Sequence, residues 1–234
     1  MWLIGEYEAV SLFSLRHSLA TASGGKTLLA PTPYAVKLAL LDAACRVHGV
    51  AQAEQRWPIL RDSTLALYPA QDAVVSNLFQ KVLRPRRKAA AADDPDAGPF
   101  QKTIGYREYA QLSGPLGLAI GLSGEERLAW LEELMLNINY FGKRGSFMQL
   151  TTLPSWHETL PMGFVELTAE QDGFVMGGAL QVMDDCSSKT TFDQVNIYST
   201  KRTDRILRHI VLPYRIERSS RGYTWYRRMD EREQ

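Results

Sequence analysis

The spacing of hydrophobic and polar positions divides the chain into segments of different period. Trp2 to Leu15 is rich in β-formers and aromatic residues and predicts a first strand, although its alternation is not clean. After a glycine-containing loop, Val36, Leu40, Ala43 and Val47 recur at helical spacing. Thr32 offers an N-cap oxygen, Pro33 a preset first helical residue and Gly49 a natural stop, so a helix is predicted between them. Ala51 to Phe79 yields only short pieces, with Trp57, Ile59, Leu65, Leu67 and Tyr68 as core candidates.

The next segment reads VLRPRRKAAAADDPDAGPFQKTIGYREY. Its centre, Ala89 to Pro99, is small, acidic and rich in Pro and Gly, which predicts a mobile tip. Val82 and Leu83 precede the tip, and Ile104, Tyr106 and Tyr109 follow it. A long hairpin is expected, with a basic arm meeting an aromatic arm. Gly114 to Leu122 then alternates strictly. Leu116, Leu118, Ile120 and Leu122 share one face, while Gly117, Ala119 and Gly121 share the other. That bare face admits close approach, either by a backbone or ligand or by a packed helix.

Ser123-Gly124-Glu125-Glu126 has the S-x-x-E form of a capping box. Leu128, Leu131, Met135 and Ile138 continue at helical spacing, so a second helix is expected to end near Tyr140 and Phe141. Phe147 to Leu153 and Phe174 to Val182 read as strands. Tyr214 to Arg218 and Tyr223 to Arg227 read as a hairpin around Ser219 to Gly222. No tandem repeat is visible. The order predicts an α+β fold: a split βαβ, ferredoxin-like (RRM-like) domain followed by a β-rich part.

Composition narrows the class. The chain has 234 residues, 45% hydrophobic and 23% charged, enough for a real core. No apolar run approaches a membrane span, and MWLIGEYEAV carries glutamates where a signal peptide needs lysines. These features predict a soluble, cytoplasmic protein without membrane partners. Cys45 and Cys186 lie far apart, without a CxxC or Cys/His cluster, so neither a disulfide framework nor a zinc site is expected. Asp184-Asp185-Cys186 lacks further ligands at metal spacing and reads as a turn. Net charge is only +1, yet Lys81, Arg84, Arg86, Arg87 and Lys88 form one basic run. Lys201 to Arg228 forms another, with nine Lys/Arg against Asp204 and Glu217. Both lie near aromatic residues, which suits a polyanionic partner.

Two glycine loops carry the candidate chemistry. Gly24-Gly25-Lys26-Thr27 has the end of a P-loop, but Ala20 stands where the first glycine is needed. Leu28 to Pro31 also separate Thr27 from the helix whose N–H groups would face a phosphate. A nucleotide hydrolase is therefore excluded, and no cofactor is implied; Lys26 remains a point charge for a phosphate. Gly142-Lys143-Arg144-Gly145-Ser146 is more informative. Two glycines permit positive φ and close approach of backbone N–H groups to an anion, and two cations sit between them. Phe141 and Phe147 flank it, at least one of them expected in the core. Glycine, cation and aromatic together suit single-stranded nucleic acid.

On SGGKTLLAPTPYAVKLALLDA, TIGYREYAQLSGPLGLAIGL and LNINYFGKRGSFMQL, the chain resembles the RAMP superfamily of CRISPR-associated proteins. Within it the chain resembles the Cas-five family of type I Cascade complexes. The resemblance covers much of residues 1–153; residues 154–234 match only in general character. It implies a ferredoxin-like domain over 1–153 with a β-hairpin thumb at about 80–112, and a β-rich region over 154–234. It implies binding of the 5′ handle of crRNA, contacts with the Cascade backbone subunit and the large subunit, and a position next to target DNA near the PAM end. By matching position, Gly142, Lys143, Arg144, Gly145 and Ser146 would form the RNA loop, with Phe147 beside it. Arg16, Lys26 and Thr27 would lie near the handle, and Arg84, Arg86, Arg87, Lys88, Tyr106 and Arg107 on the thumb or its base. The leading expectation is a non-catalytic, cytoplasmic RNA-binding subunit. The alternatives are a metal-independent endoribonuclease, with His17 as the best-placed base, and a protein-only scaffold. Of the other histidines, His48 is expected to serve a helix C-terminus, His157 to lie in a loop and His209 to face a phosphate or simply be exposed.

Overall fold

The computed structural model describes residues 1–16, 24–88, 97–124, 126–169, 176–196, 199–201 and 204–229. His17, Glu125 and most of the expected hairpin tip therefore lie outside the described residues. Elements run β1 (Trp2–Ala9), β2 (Gly24–Gly25), α1 (Pro33–His48), α2 (Val50–Asp62), β3 (Thr64–Tyr68), β4 (Asp72–Pro85), β5 (Phe100–Ser113) and β6 (Leu116–Gly121). They continue with α3 (Ala129–Leu136), β7 (Met148–Leu150), β8 (Ser155–His157), β9 (Val165–Glu166) and β10 (Ala179–Cys186). The last are α4 (Phe192–Val195), β11 (Arg205–Leu212), β12 (Tyr214–Ser219) and β13 (Tyr223–Arg228).

The central sheet has the order β7-β1-β6-β3-β9, and each of its pairings is antiparallel. With β1-α1 leading to β3, and β6-α3 leading to β7, this is the interleaved split βαβ arrangement of a ferredoxin-like fold. The β4–β5 hairpin is inserted between its second and third strands. It pairs from Asp72↔Ser113 out to Pro85↔Phe100. A second sheet, β12-β13-β4-β5-β2, forms around the inner half of that hairpin. The fold is thus α+β, as the order of elements predicts.

Local chemistry sets the boundaries. Thr32 caps α1 by accepting from the Ala35 N–H at 3.1 Å, and Gly49 closes it at φ +81°. The chain then turns directly into α2, which the sequence does not announce. Ala53, Trp57 and Leu60 form its buried stripe, and Trp57 Nε1 donates to the Thr190 carbonyl at 2.9 Å. Pro58 lies on the exposed side, where water can satisfy the carbonyl that its missing N–H leaves.

Several expectations are corrected. Regular β1 ends at Ala9, after which Phe13 and Arg16 make single bridges to Ala110 and Thr27. α3 begins at Ala129 with Leu128 as N-cap, so Ser123 does not cap it. It also ends at Leu136 rather than near Tyr140. Asn137 turns out of the helix and donates to the Glu133 carbonyl, while Tyr7 Oη takes up the Met135 carbonyl at 2.8 Å. His157 lies on β8, not in a loop. Asp184 and Asp185 are not a turn; they lie in β10, both buried. The bare face of β6 is covered by aromatic side chains of neighbouring strands. A Cβ at Gly117 would meet Tyr68 Cβ at 2.9 Å, and one at Gly121 would meet Trp2 at 2.9 Å.

Candidate nucleic-acid interface

Gly142 to Ser146 forms a tight loop held between Tyr140 and Phe147, which bridge each other. Gly142 has φ +71° and Gly145 φ +102°, conformations that L side chains avoid. A Cβ at Gly142 would also meet Leu15 Cδ2 at 3.0 Å. The loop is braced by Phe141 N–H to Ser146 O, Ser146 N–H to Lys143 O, and Ser11 Oγ to Gly145 O. Ser146 is buried, whereas Lys143 and Arg144 are exposed. The flanking aromatics divide: Phe141 is in the core, edge-on to Tyr7 at 5.4 Å, and Phe147 is half exposed. One phenylalanine therefore fixes the loop and the other is left at the surface.

The loop faces the first turn of α1 across a pocket of about 310 Å³. Arg16, Tyr34, Leu38, Gly142, Lys143 and Arg205 line it. Gly25 helps seat Arg16, because a Cβ there would meet Arg16 Nε at 3.0 Å. Tyr34 and Arg205 were not singled out by sequence reasoning. The guanidinium of Arg205 lies over the Tyr34 ring at 3.8 Å and donates to Asp184 Oδ2 at 2.6 Å. The adjacent Asp185 accepts from Lys37 Nζ at 2.7 Å and Arg208 Nε at 3.0 Å. These pairs pin the β10–β11 hairpin onto α1. Burial beside this cluster pushes the Cys186 thiol up to about 12.

The other predicted site residues fall into two groups. Lys26 and Thr27 lie midway along the hairpin, where Gly24 and Gly25 run parallel to Tyr106 and Arg107. Thr27 is buried: its N–H donates to Glu108 Oε2 at 2.8 Å, and its hydroxyl accepts from the Leu15 N–H at 3.0 Å. Lys26 is exposed beside a polar cavity of about 520 Å³ that includes Glu108, Gln181 and Tyr226. Arg84, Arg86, Arg87 and Lys88 sit at the far end of the hairpin. Six residue steps run from Phe79, which pairs with Tyr106 at the level of β2, to Pro85, roughly 20 Å along the arm. There the Arg86 N–H donates to the Pro99 carbonyl and Arg86 Nε to that of Phe100. Arg16 is thus brought together with Gly142 and Lys143, while the cations at the far end of the hairpin form a separate cluster.

The arm itself has two unlike faces. Phe79, Leu83, Phe100, Ile104 and Tyr106 lie on one face with Lys81 and Lys102, by their register. All five apolar residues are exposed, and Phe79 meets Tyr106 edge-on at 5.2 Å. Of the histidines described, His48 Nε2 lies 3.4 Å from Glu133 Oε2 at the end of α1, and His209 is exposed on β11. Among the described residues no group of three His, Cys, Asp or Glu could hold a metal, and no helix is long and apolar enough to cross a membrane.

No protein-family model and no curated protein matches the chain. Among solved structures it is similar to a CRISPR protein from Archaeoglobus fulgidus, with 13% identity and a TM-score of 0.49 over 98% of this chain and 92% of that one. It is also similar to a chain of a CRISPR RNA-guided surveillance complex, with 11% identity and a TM-score of 0.48 over 90% of this chain and 88% of that one.

Proposed function

We propose that the protein is a non-catalytic RNA-binding subunit of a CRISPR-associated complex, one that caps the 5′ handle of a crRNA in an assembly of the type I Cascade kind. One observation carries the reading. A glycine loop with two exposed cations and a surface phenylalanine stands beside Arg16 and the first turn of α1, on a split βαβ sheet. Cations neutralise a single-stranded backbone, and exposed rings give bases a stacking surface. Subunit contacts fit the arm, whose exposed apolar face is costly to leave in water. We assign that arm to the neighbouring backbone and large subunits, and the division of the chain into 1–153 and 154–234 to this same reading.

The test is binding of single-stranded repeat RNA by the full chain, followed by fluorescence anisotropy over a salt series. Lys143→Ala with Arg144→Ala removes two backbone contacts, so the slope of log affinity against log salt should fall by about 1.4. The melting temperature should stay within a degree or two, because both side chains are exposed. An unchanged affinity at unchanged stability overturns the reading.

A further inference from the structure

We infer that Arg205, preset by Asp184 and Tyr34, is a phosphate clamp for single-stranded RNA on the wall of the pocket opposite the glycine loop. The inference rests on the RNA-binding reading of that loop and extends the path to β11. Lys143 and Arg205 line the pocket beside Arg16, and Asp184 is the one carboxylate among its lining residues. That carboxylate is nearly buried and already engaged by Arg205 Nη1. The pocket mouth therefore presents a net positive field, and anions are the ligands it favours.

Arg205 is built for this role in a way the exposed Lys143 is not. Its guanidinium is fixed on two sides, stacked on Tyr34 at 3.8 Å and bonded to Asp184 at 2.6 Å. A planar guanidinium has five N–H donors, and only Nη1 is used by a described residue. The remaining edge can take a phosphate in the forked geometry that suits arginine, with little rotamer freedom left to lose. The fixing elements are themselves anchored. Tyr34 lies in the first turn of α1 behind the Thr32 cap, and Asp184 precedes Asp185, which Lys37 and Arg208 hold. Asp184 is thus a positioning residue: it aims Arg205 and need not touch RNA. A volume of about 310 Å³ is at the small end of ligand pockets, suited to a nucleotide's dimensions rather than to a duplex.

The experiment uses the full chain with 5′-phosphorylated and 5′-hydroxyl repeat RNA, each titrated over salt. Arg205→Lys keeps a cation for Asp184 but loses the fork, and Arg205→Ala with Asp184→Asn removes both charges together. Each should weaken binding about tenfold, as expected for one charge-assisted bond to phosphate. The double variant should also lower the salt slope by about 0.7. Equal losses on both RNAs identify an internucleotide phosphate; loss confined to the phosphorylated RNA identifies a terminal one. Thermal melting checks that the variants fold. If Lys143→Ala with Arg144→Ala weakens binding and folded Arg205 variants do not, the clamp is overturned and the RNA reading stands. If neither set weakens it, the RNA reading itself falls.

Discussion

β6 and the outer half of the β4–β5 arm are both strands rich in apolar residues, yet they live in opposite environments. All six residues of β6 are buried, because β1 and β3 flank it and side chains cover both faces. Beyond the level of β2 and β13, the arm pairs only with itself among the described residues, and Leu83, Phe100 and Tyr106 are at least half exposed. Apolar content therefore does not fix burial; the number of neighbouring layers does. The apolar groups that give β6 its cohesion stay in contact with water along the arm.

That contrast can be tested by paired substitutions. The largest difference is expected between Leu118→Ala and Leu83→Ala. Leu118 is wholly buried, so its truncation should cost about 2–5 kcal/mol in urea unfolding. Leu83 is 63% exposed, and its truncation should stay within about 0.5 kcal/mol. Equal costs would mean that the arm is covered in solution. A smaller difference separates two glycines. Gly117→Ala drives a Cβ into Tyr68 and Phe164, with an expected loss of about 1–3 kcal/mol. Gly105→Ala meets only Val82 at 3.8 Å and should be neutral or gain about 0.5 kcal/mol, read from the same unfolding curves. The smallest contrast lies within the arm: Phe79→Ala breaks the ring pair with Tyr106 and should cost about 0.5–1.5 kcal/mol in urea unfolding, against the near-neutral Leu83→Ala. A larger cost would show that the two rings anchor more than each other.

Legibility from sequence followed the range of the forces involved. α1 was readable at both ends because Thr32, Pro33 and Gly49 act locally. The long hairpin and the β12–β13 hairpin were readable for the same reason, since each pairs segments close along the chain. α2 was hidden because Gly49 and Pro58 both signal interruption. In the structure Gly49 ends one helix and opens the next, and Pro58 is tolerated on the solvent side. Asp184 and Asp185 read as a turn because carboxylates are rare in strands. Their partners include Lys37, 148 residues away from Asp185, and no local pattern reveals such a pair. At the candidate interface, the glycine loop and Arg16 were legible as types of chemistry. Tyr34 and Arg205 were not, because only the packing of β10–β11 on α1 brings Arg205 over the ring. The S-x-x-E motif misled in the opposite direction: it satisfies a cap pattern, but α3 starts later, at Ala129.

The place of β13 has a consequence for how the chain is made. It pairs with the inner half of β4, and Trp225 Nε1 reaches Asp72 Oδ1 at 2.6 Å across 153 residues of sequence. During synthesis, β4 and β5 leave the ribosome well before the strand that shields them. Until Tyr223–Arg228 arrives, the base of the arm has an open edge that other chains can pair with. Completion of the arm's base therefore waits for a strand made 153 residues after Asp72.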